Sequence, residues 1–473
     1  MEELRPVIMS KAQALIAYKM RAALIATPVI NGFLNAVQRV EDGATGLVRE
    51  SEIEPIESLA ALDAIEADAD DALLTQLAVI KLNGGLGTGM GLGRAKSLIA
   101  VKDGNTFLDF IARQILDLRR GTDVPAFYLL DSAGTQRDTL DHLEKYHPYL
   151  AGGQNQLDFL QNMVPKIDAS TFEPVTWSSD PALEWCPPGH GDIYAALLGS
   201  GLLDRLLNAG VKFLFSSNAD NLGAAVDLKL LRYFADSNLS FLMEVADRTA
   251  ADRKGGHLAR RRSDGRLVLR ESAQCHPDDE QNFQDVTRHR FFNTNNLWIR
   301  LDHLQTELSE RGGALPLPLI RNSKTVDPRD PSSVKVLQLE SAMGAAIECF
   351  ERAGAIVVPR ARFAPVKSTS DLLALRSDAY RVTEDFRLVL DDLRLGQPPV
   401  VNLDSRHYQL LDGFERCFPG GAPSLIDCAA LTVTGNVRFD AGVVCRGRVE
   451  FVNASDHVVT VCAGTYTGTV RLE

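Results

Sequence analysis

The fold is decided by residues 77–97, which read LAVIKLNGGLGTGMGLGRAKS. The apolar run 77–80 has the composition of a buried strand, and six glycines follow it within residues 84–93. Glycines let backbone N–H groups approach a phosphate or a flat base without interference from a Cβ. Lys96 adds a mobile ammonium that suits phosphate oxygens. The stretch therefore predicts a strand leading into a nucleotide-binding loop, and a surface loop without a ligand is the alternative.

Two common phosphate-binding motifs do not fit this loop. The dinucleotide fingerprint G-x-G-x-x-G fails because its sixth position is Met90 when it starts at Gly85, and Leu92 when it starts at Gly87. The Walker pattern needs a glycine directly before Lys-Ser, and residues 94–95 (Arg-Ala) intervene here. The loop is thus a glycine-rich turn followed by a lysine, outside these two classes.

Outward from the loop, residues 76–382 alternate between two kinds of pattern. Short apolar runs predict strands at 77–82, 126–130, 211–217, 240–245, 291–299 and 355–359. Helix-like stretches predict helices at 106–120, 192–209 and 337–353. Strands alternating with helices predict an α/β fold with a parallel, doubly wound sheet, in which ligands bind at the carboxyl ends of the strands.

The two ends of the chain have different compositions. Residues 1–75 are acidic with helix-like apolar spacing, as in SLAALDAIEADADDALLTQ at 58–76, and predict an N-terminal helical region. Residues 383–473 end in a tail rich in Val, Gly and Thr, where Cys428, Cys445 and Cys462 recur every 17 residues. A period near three hexapeptides predicts a parallel β-helix, with a small antiparallel sheet as the alternative. The predicted domains are therefore 1–75, 76–382 and 383–473.

Composition limits the classes of partner. The formal net charge of −12 over 473 residues argues against nucleic acid or an anionic membrane as the main partner. We find no signal peptide and no run of about 18 apolar residues, the length that would span a bilayer. The seven cysteines form no C-x-x-C pair and indicate no disulfide framework. These observations predict a cytoplasmic protein.

The loop is the first of many blocks that match one family in its order. Together these blocks resemble the UTP–glucose-1-phosphate uridylyltransferases, also called UDP-glucose pyrophosphorylases. After KLNGGLGTGMG…AKS they are VKDGNTFLDF (101–110), FLQNMVPKI (159–167), WCPPGHGDIY (185–194), SSNADNLGAAVDL (216–228), KGGHL (254–258), FFNTNNLW (291–298), VKVLQLESAMGAAI (334–347) and PVKSTSDLLALRSD (365–378).

The resemblance implies a fold and a reaction. The expected fold is a Rossmann-like nucleotidyltransferase domain with a mixed, mostly parallel sheet, followed by the β-helix. The expected reaction joins UTP and glucose 1-phosphate to give UDP-glucose and pyrophosphate, by in-line attack of the sugar phosphate on the α-phosphate. Such a centre is crowded with negative charge and needs alignment and cations more than a strong base.

The resemblance also assigns roles to residues. Lys367 and Lys96 are the expected catalytic residues, the first stabilising the crowded phosphorus and the second the leaving pyrophosphate. Asp220 is the expected Mg²⁺ ligand, because one carboxylate with waters and phosphate oxygens is a usual magnesium shell. The family's methionine before a second base contact appears here as Leu130. The other expected substrate-binding residues are Leu82, Asn83, Gly84, Gly85 and Gln161 for the nucleotide, Gly189, His190 and Asn218 for phosphate, ribose or sugar oxygens, and Gly256, Glu271, Asn293 and Asn295 for the hexose.

Two other functions stay open at this point. One is a different UDP-sugar pyrophosphorylase, for example one that acts on an N-acetylhexosamine 1-phosphate or on a broad range of sugar 1-phosphates. The other is a non-catalytic nucleotide-sugar binding protein. The tail is a possible surface for forming a homo-oligomer, since some relatives associate through it.

Overall fold

The computed structural model describes residues 9–151, 156–249 and 252–472. The chain forms two compact units, each built from three segments. Unit 1 is Met1–Ile80, Phe159–Ser216 and Leu228–Val358, and unit 2 is Lys81–Asp158, Ser217–Asp227 and Pro359–Glu473. The three predicted domains stay a prediction, and residues 1–8 of the first lie outside the described residues. No helix in the described ranges is both long and apolar enough to cross a bilayer.

The helices are short. In unit 1 they are Lys11–Ala22, Thr27–Glu41, Ile193–Gly199, Leu202–Asn208, Leu228–Asp236, Glu280–Gln284 and Leu301–Glu310. In unit 2 they are Phe107–Arg119, Gln136–Tyr146, Thr369–Arg376, Ser405–Tyr408 and Leu411–Cys417.

The strands carry most of the buried apolar runs. Those lying mainly in unit 1 are Ile53–Glu54, Ala60–Ala61, Leu77–Leu82, Val164–Pro165, Ile167–Asp168, Trp185–Cys186, Phe213–Asn218, Phe241–Asp247, His257–Arg261, Leu267–Arg270, Phe291–Arg300, Ile320–Thr325, Lys335–Glu340 and Ala353–Val357. Two of the three residues of strand Asp158–Leu160 also belong to unit 1. The strands of unit 2 are Ala100–Lys102, Asn105–Thr106, Ala126–Asp131, Tyr380–Val382, Leu388–Leu390, Val400–Leu403, Cys428–Thr434, Val437–Phe439, Val443–Asn453, Val459–Val461 and Gly464–Leu472.

The main sheet is mixed, as the family resemblance implied, and not wholly parallel as the alternating pattern predicted. Strand Phe241–Asp247 runs parallel to Ala353–Val357, which in turn runs parallel to Ala60–Ala61. Strand Phe291–Arg300 is antiparallel to both Phe213–Asn218 and Phe241–Asp247. In strand Phe241–Asp247, residues 241–246 are all buried, which fits a strand covered on both faces.

Two N-terminal helices cover part of unit 1. Helix Lys11–Ala22 begins at a capping box in which Gln13 N–H donates to Ser10 Oγ and Ser10 N–H donates to Gln13 Oε1. Its apolar stripe packs with helix Thr27–Glu41 against the strands around residues 164–167 and 337–339. The predicted N-terminal helical layer is therefore present in residues 11–41.

Two predicted helices are wrong, and a third is interrupted. Residues 58–76 form a short strand and two 3₁₀ turns, because Ala60–Ala61 pairs with the edge of the sheet. The stretch 337–353 begins as the end of strand Lys335–Glu340, since its alternating pattern pairs antiparallel with Ile320–Thr325. The predicted helix 192–209 is broken in two at Gly201, whose φ of +69° is left-handed.

The C-terminal tail is built from parallel strands. Strands Val400–Leu403, Cys428–Thr434, Val443–Asn453 and Gly464–Leu472 form one sheet, and Val437–Phe439 pairs with Val459–Val461 in a second. The 17-residue spacing of the cysteines is not the register of the strands, because Val433 pairs with Phe451 and Glu450 with Thr469. All seven cysteines are free, and Cys462 is exposed whereas Cys428 and Cys445 are buried.

Candidate functional site

The glycine loop of unit 2 folds back on itself. Lys96 N–H donates to Gly85 O at 3.1 Å, and residues 86 and 95 form a single antiparallel bridge. A Cβ on Gly87 would lie 2.6 Å from Leu92 Cδ1, so packing alone demands a glycine there. Gly85 is different, because it is exposed, its φ is not left-handed and no atom lies within 4 Å of the position of a Cβ. The fold gives no reason for its missing side chain, and Gly89 and Gly93 in the same loop share this property.

The first residues of the loop lie beside the segment that carries Asn218 and Asp220. Ala219 N–H donates to Leu82 O at 3.0 Å, directly after strand Phe213–Asn218 ends. Lys96 Nζ lies 2.6 Å from Asp220 Oδ2, and each side chain is 21% exposed. An ion pair that is open to solvent at a strand end can exchange its partners for charged ligand atoms.

Lys367 lies on a segment next to Asp220. Val366 N–H donates to the backbone carbonyl of Asp220 at 3.2 Å, and Lys367 is the next residue in the chain. The Lys367 N–H donates to Asp371 Oδ2 at 2.9 Å at the start of helix Thr369–Arg376. This capping interaction fixes the backbone while the side chain is exposed. Unit 2 thus brings together the segments that hold Lys96, Asp220 and Lys367, which are far apart in sequence.

Asn83 has a buried partner that the sequence analysis missed. Its Nδ2 donates to Asp131 Oδ1 at 2.7 Å and to Thr139 Oγ1 at 2.9 Å. Burial raises the pKa of Asp131 to about 7, against hydrogen bonds from Thr135 and Asn83 that lower it. The Asn83 amide therefore fixes the start of the loop. The sequence signal for its partner was Asp131, an acidic residue at the end of the apolar run 126–131.

In unit 1, the turn PPGHGD at 187–192 is shaped by its glycines. Gly189 has φ +80° and ψ 172°, a region that is essentially restricted to glycine. A Cβ there would also lie 2.4 Å from Ser341 O. Gln161 Nε2 donates to Gly189 O at 3.3 Å, so two predicted site residues are in contact.

His190 is held as a neutral ring. Its Nδ1 lies 2.9 Å from the backbone nitrogen of Met343 and accepts the N–H of that residue. The proton of the neutral ring is therefore on Nε2, which becomes the donor. Burial lowers the pKa of His190 to about 4, so the ring is uncharged near neutral pH.

The predicted hexose residues are in contact with each other in unit 1. A Cβ on Gly256 would lie 2.5 Å from Glu271 Oε2, and Asn293 N–H donates to Gly256 O at 3.3 Å. Asn293 Nδ2 donates to Asn295 Oδ1 at 2.8 Å.

The two amides are not aligned by simple strand alternation. Asn295 has φ +58°, and the strand shifts register opposite Glu244 and Val245. A bulge therefore brings the two side chains together.

Residues 341–344 contact both the turn at 187–192 and the predicted hexose residues. None of the four was predicted to belong to the site. Ser341 O accepts the Gly191 N–H at 2.9 Å, and Met343 N–H donates to His190. A Cβ on Gly344 would lie 2.9 Å from Asn293 Nδ2. The available sequence signal was Gly344, which lies four residues after strand Lys335–Glu340 and within the family block 334–347.

The predicted site residues divide between the two units. Unit 2 holds the loop residues Leu82, Asn83, Gly84 and Gly85 with Lys96, Asn218, Asp220 and Lys367. Unit 1 holds Gln161, Gly189, His190, Gly256, Glu271, Asn293 and Asn295. Each set is internally connected through the contacts given above.

Comparison with known proteins gives a consistent result. The family described as UDPGP, UTP–glucose-1-phosphate uridylyltransferase, matches residues 30–446. A protein of that name from Saccharomyces cerevisiae is 42% identical over 395 residues, which are 83% of this chain and 77% of that protein. One from Solanum tuberosum is 39% identical over 435 residues, 89% of this chain and 87% of that protein.

Solved structures agree with these relatives. UDP-glucose pyrophosphorylase from Leishmania major superposes with a TM-score of 0.93 at 49% identity, over 98% of this chain and 100% of that one. A variant of that protein, solved in complex with UDP-glucose, has a TM-score of 0.94 at 48% identity, over 98% of this chain and 100% of that one. The chain belongs to the UTP–glucose-1-phosphate uridylyltransferase family.

Proposed function

We propose that this nucleotidyltransferase converts UTP and glucose 1-phosphate into UDP-glucose and pyrophosphate. The family match over residues 30–446 supports the reaction. The observation that carries the chemistry is the partly exposed ion pair between Lys96 and Asp220, with the backbone of the Lys367 segment bonded to the Asp220 carbonyl. Phosphoryl-type transfer from a nucleotide needs cations that neutralise and align the phosphates, which two lysines and a metal-binding carboxylate can supply.

The two lysines have separate roles in this proposal. Lys96 binds the β- and γ-phosphates and stabilises the pyrophosphate as its negative charge grows. Lys367 contacts the sugar phosphate and the α-phosphate, reducing the repulsion between two anions that must approach each other. In the free protein Lys96 is neutralised by Asp220, and the phosphates of the incoming nucleotide take the place of the carboxylate.

Asp220 is the proposed ligand for Mg²⁺. A carboxylate oxygen that is partly open to solvent fits a hard cation, which keeps several waters and adds phosphate oxygens to its shell. When bound, the ion would supply charge neutralisation and alignment of the phosphates. Asn218, at the end of the same strand, is proposed to bind a ribose or sugar hydroxyl.

The residues of unit 1 are proposed to recognise the base and the sugar. Gln161 offers a donor and an acceptor to the imide edge of uracil. Neutral His190 donates through Nε2 to a phosphate or sugar oxygen, and a low pKa makes this donor independent of pH in the neutral range. Glu271, Asn293 and Asn295 bind hexose hydroxyls, which both donate and accept.

The glycine loop is proposed to hold the nucleotide through its backbone. Leu82, Gly84 and Gly85 line this seat, and Asn83 keeps its start in place through Asp131. The bare, exposed position of Gly85 supports this role.

We also infer that the tail is a short parallel β-helix. Two sheets, each of parallel strands from successive turns of the chain, support it. Self-association through this tail and a cytoplasmic location stay predictions. Analytical ultracentrifugation of the full chain tests the first, and a single monomeric species would reject it.

A pyrophosphate-release assay with UTP, glucose 1-phosphate and Mg²⁺ tests the proposed reaction. We expect release that depends on all three components, with UDP-glucose as the second product. Faster release with N-acetylglucosamine 1-phosphate would instead favour a related pyrophosphorylase. Binding of UDP-glucose without any release would favour a non-catalytic protein.

A further inference from the structure

Unit 2 contains a cluster of possible metal ligands that the proposed reaction does not use. Asp109, His142 and His147 each direct one ligand atom to a common point, and these atoms all lie within 4.8 Å of one another. His142 lies on helix Gln136–Tyr146, and His147 follows the end of that helix. Asp109 lies in the first turn of helix Phe107–Arg119. The cluster therefore joins the end of one helix to the beginning of another.

Both imidazoles point at the same carboxylate oxygen. His142 Nε2 is 2.8 Å and His147 Nε2 is 2.7 Å from Asp109 Oδ1. Two imidazole nitrogens and one carboxylate oxygen within 4.8 Å of one another are three possible ligands for one ion. A zinc-type ion at about 2.0–2.1 Å from each atom needs ligand separations of roughly 3.3 Å, so the side chains must shift and each Nε2 must give up the proton that it now shares with the carboxylate.

Asp109 is already held in the orientation that a ligand needs. Its Oδ2 accepts hydrogen bonds from Thr106 N–H and Thr106 Oγ1–H, both at 2.8 Å. Oδ1 is thereby left for the two histidines. Outer hydrogen bonds of this kind are typical supports of metal ligands.

The cluster also has a route to solvent. Side-chain exposure is 17% for His142, 11% for Asp109 and 8% for His147, so the edge of His142 is the open side. Three protein ligands with one open side allow a water molecule as the fourth ligand. The mixture of two imidazoles and one carboxylate favours zinc, cobalt or nickel over magnesium or calcium.

We propose that Asp109, His142 and His147 bind one zinc-type divalent ion that clips helix Gln136–Tyr146 to the start of helix Phe107–Arg119. The site is separate from the proposed Mg²⁺ ligand Asp220 and does not rest on the proposed reaction. An ion that binds the folded chain and not the unfolded chain stabilises the folded state.

The test is a cobalt titration of the full chain after treatment with a chelator. We expect one equivalent of Co²⁺ to produce the intense visible bands of a four-coordinate ion with nitrogen ligands, and Zn²⁺ to displace it. Saturating Zn²⁺ should raise the melting temperature. His142→Gln and His147→Gln should each weaken cobalt binding at least tenfold and abolish the zinc-induced rise in melting temperature.

Two control variants make the result specific. His457→Gln removes an exposed histidine of the tail, and Cys462→Ser removes an exposed thiol that could bind zinc by itself. Both should titrate like the unmodified chain. Visible bands that persist in His142→Gln and His147→Gln, or that never appear in the unmodified chain, would overturn the proposal.

Discussion

Gly85→Ala tests whether nucleotide binding, and not folding, requires a glycine at position 85. No atom lies within 4 Å of the new methyl group, and the residue does not have a left-handed φ. Alanine at such a position reduces the entropy of the unfolded chain and should raise the free energy of unfolding by about 0.4–1 kcal/mol. The folded protein should therefore be slightly more stable.

Nucleotide binding should change in the opposite direction. If the backbone at Gly85 contacts a phosphate or the base, the methyl group displaces that contact. A hydrogen bond to a charged group contributes about 1.5–3 kcal/mol, so affinity for UTP should fall roughly 10- to 100-fold. Isothermal titration calorimetry with UTP and Mg²⁺ measures the affinity, and urea unfolding measures the stability.

Gly89→Ala is the matched control within the same loop. Gly89 is also exposed with no atom within 4 Å of a Cβ, and it lies in the 3₁₀ turn Thr88–Met90, away from the Gly85–Lys96 hydrogen bond. Its substitution should leave UTP affinity within about twofold, which is less than 0.5 kcal/mol. A Gly85→Ala protein that binds UTP as tightly as the unmodified chain would refute the glycine-lined seat.

Three further predictions follow from single contacts. Gly344→Ala places a Cβ 2.9 Å from both Asn293 Nδ2 and Leu269 Cδ2, so steady-state kinetics should show a KM for glucose 1-phosphate that rises several-fold while the KM for UTP is unchanged. Since the pKa of folded His190 is about 4 and that of an exposed histidine about 6.5, the unfolded chain binds the extra proton between these values. The contribution of His190 to the free energy of unfolding should thus be complete above pH 6.5 and decline as the pH falls towards 4, and urea unfolding of His190→Gln should lack this decline. Lys96→Ala removes the partner of Asp220 and a phosphate contact, and should weaken UTP binding in calorimetry by about tenfold or more, whereas unchanged binding would reject its role.

Several strands could be predicted because their burial leaves a simple signature. The run 77–82 is strand Leu77–Leu82 as predicted, since a strand buried on both faces is a continuous apolar run. Residues 58–76 misled the prediction because their Ala, Leu and acidic composition favours helix locally. Pairing of Ala60–Ala61 with Ile356–Val357 overrides that local preference, and no local pattern contains that information.

The predicted site residues came from blocks of sequence, and the contacts that support them could not be predicted in this way. Asp131 is 48 residues from Asn83 in sequence, and their buried hydrogen bond depends on how two strand ends meet. The bulge that aligns Asn293 and Asn295 is likewise a property of strand pairing. The 17-residue spacing does not place the tail cysteines opposite one another, because Cys428 pairs with Gly447 and Cys445 pairs with Tyr466.

The most direct test of the account is the rate of pyrophosphate release by Lys367→Ala at saturating UTP, glucose 1-phosphate and Mg²⁺. Loss of one charged contact to the reacting phosphates should lower kcat by roughly 10²- to 10³-fold, with an unchanged melting temperature because the side chain is exposed. Lys335→Ala, which removes an exposed lysine from strand Lys335–Glu340, should keep the full rate. A Lys367→Ala protein that turns over like the unmodified chain would contradict the account.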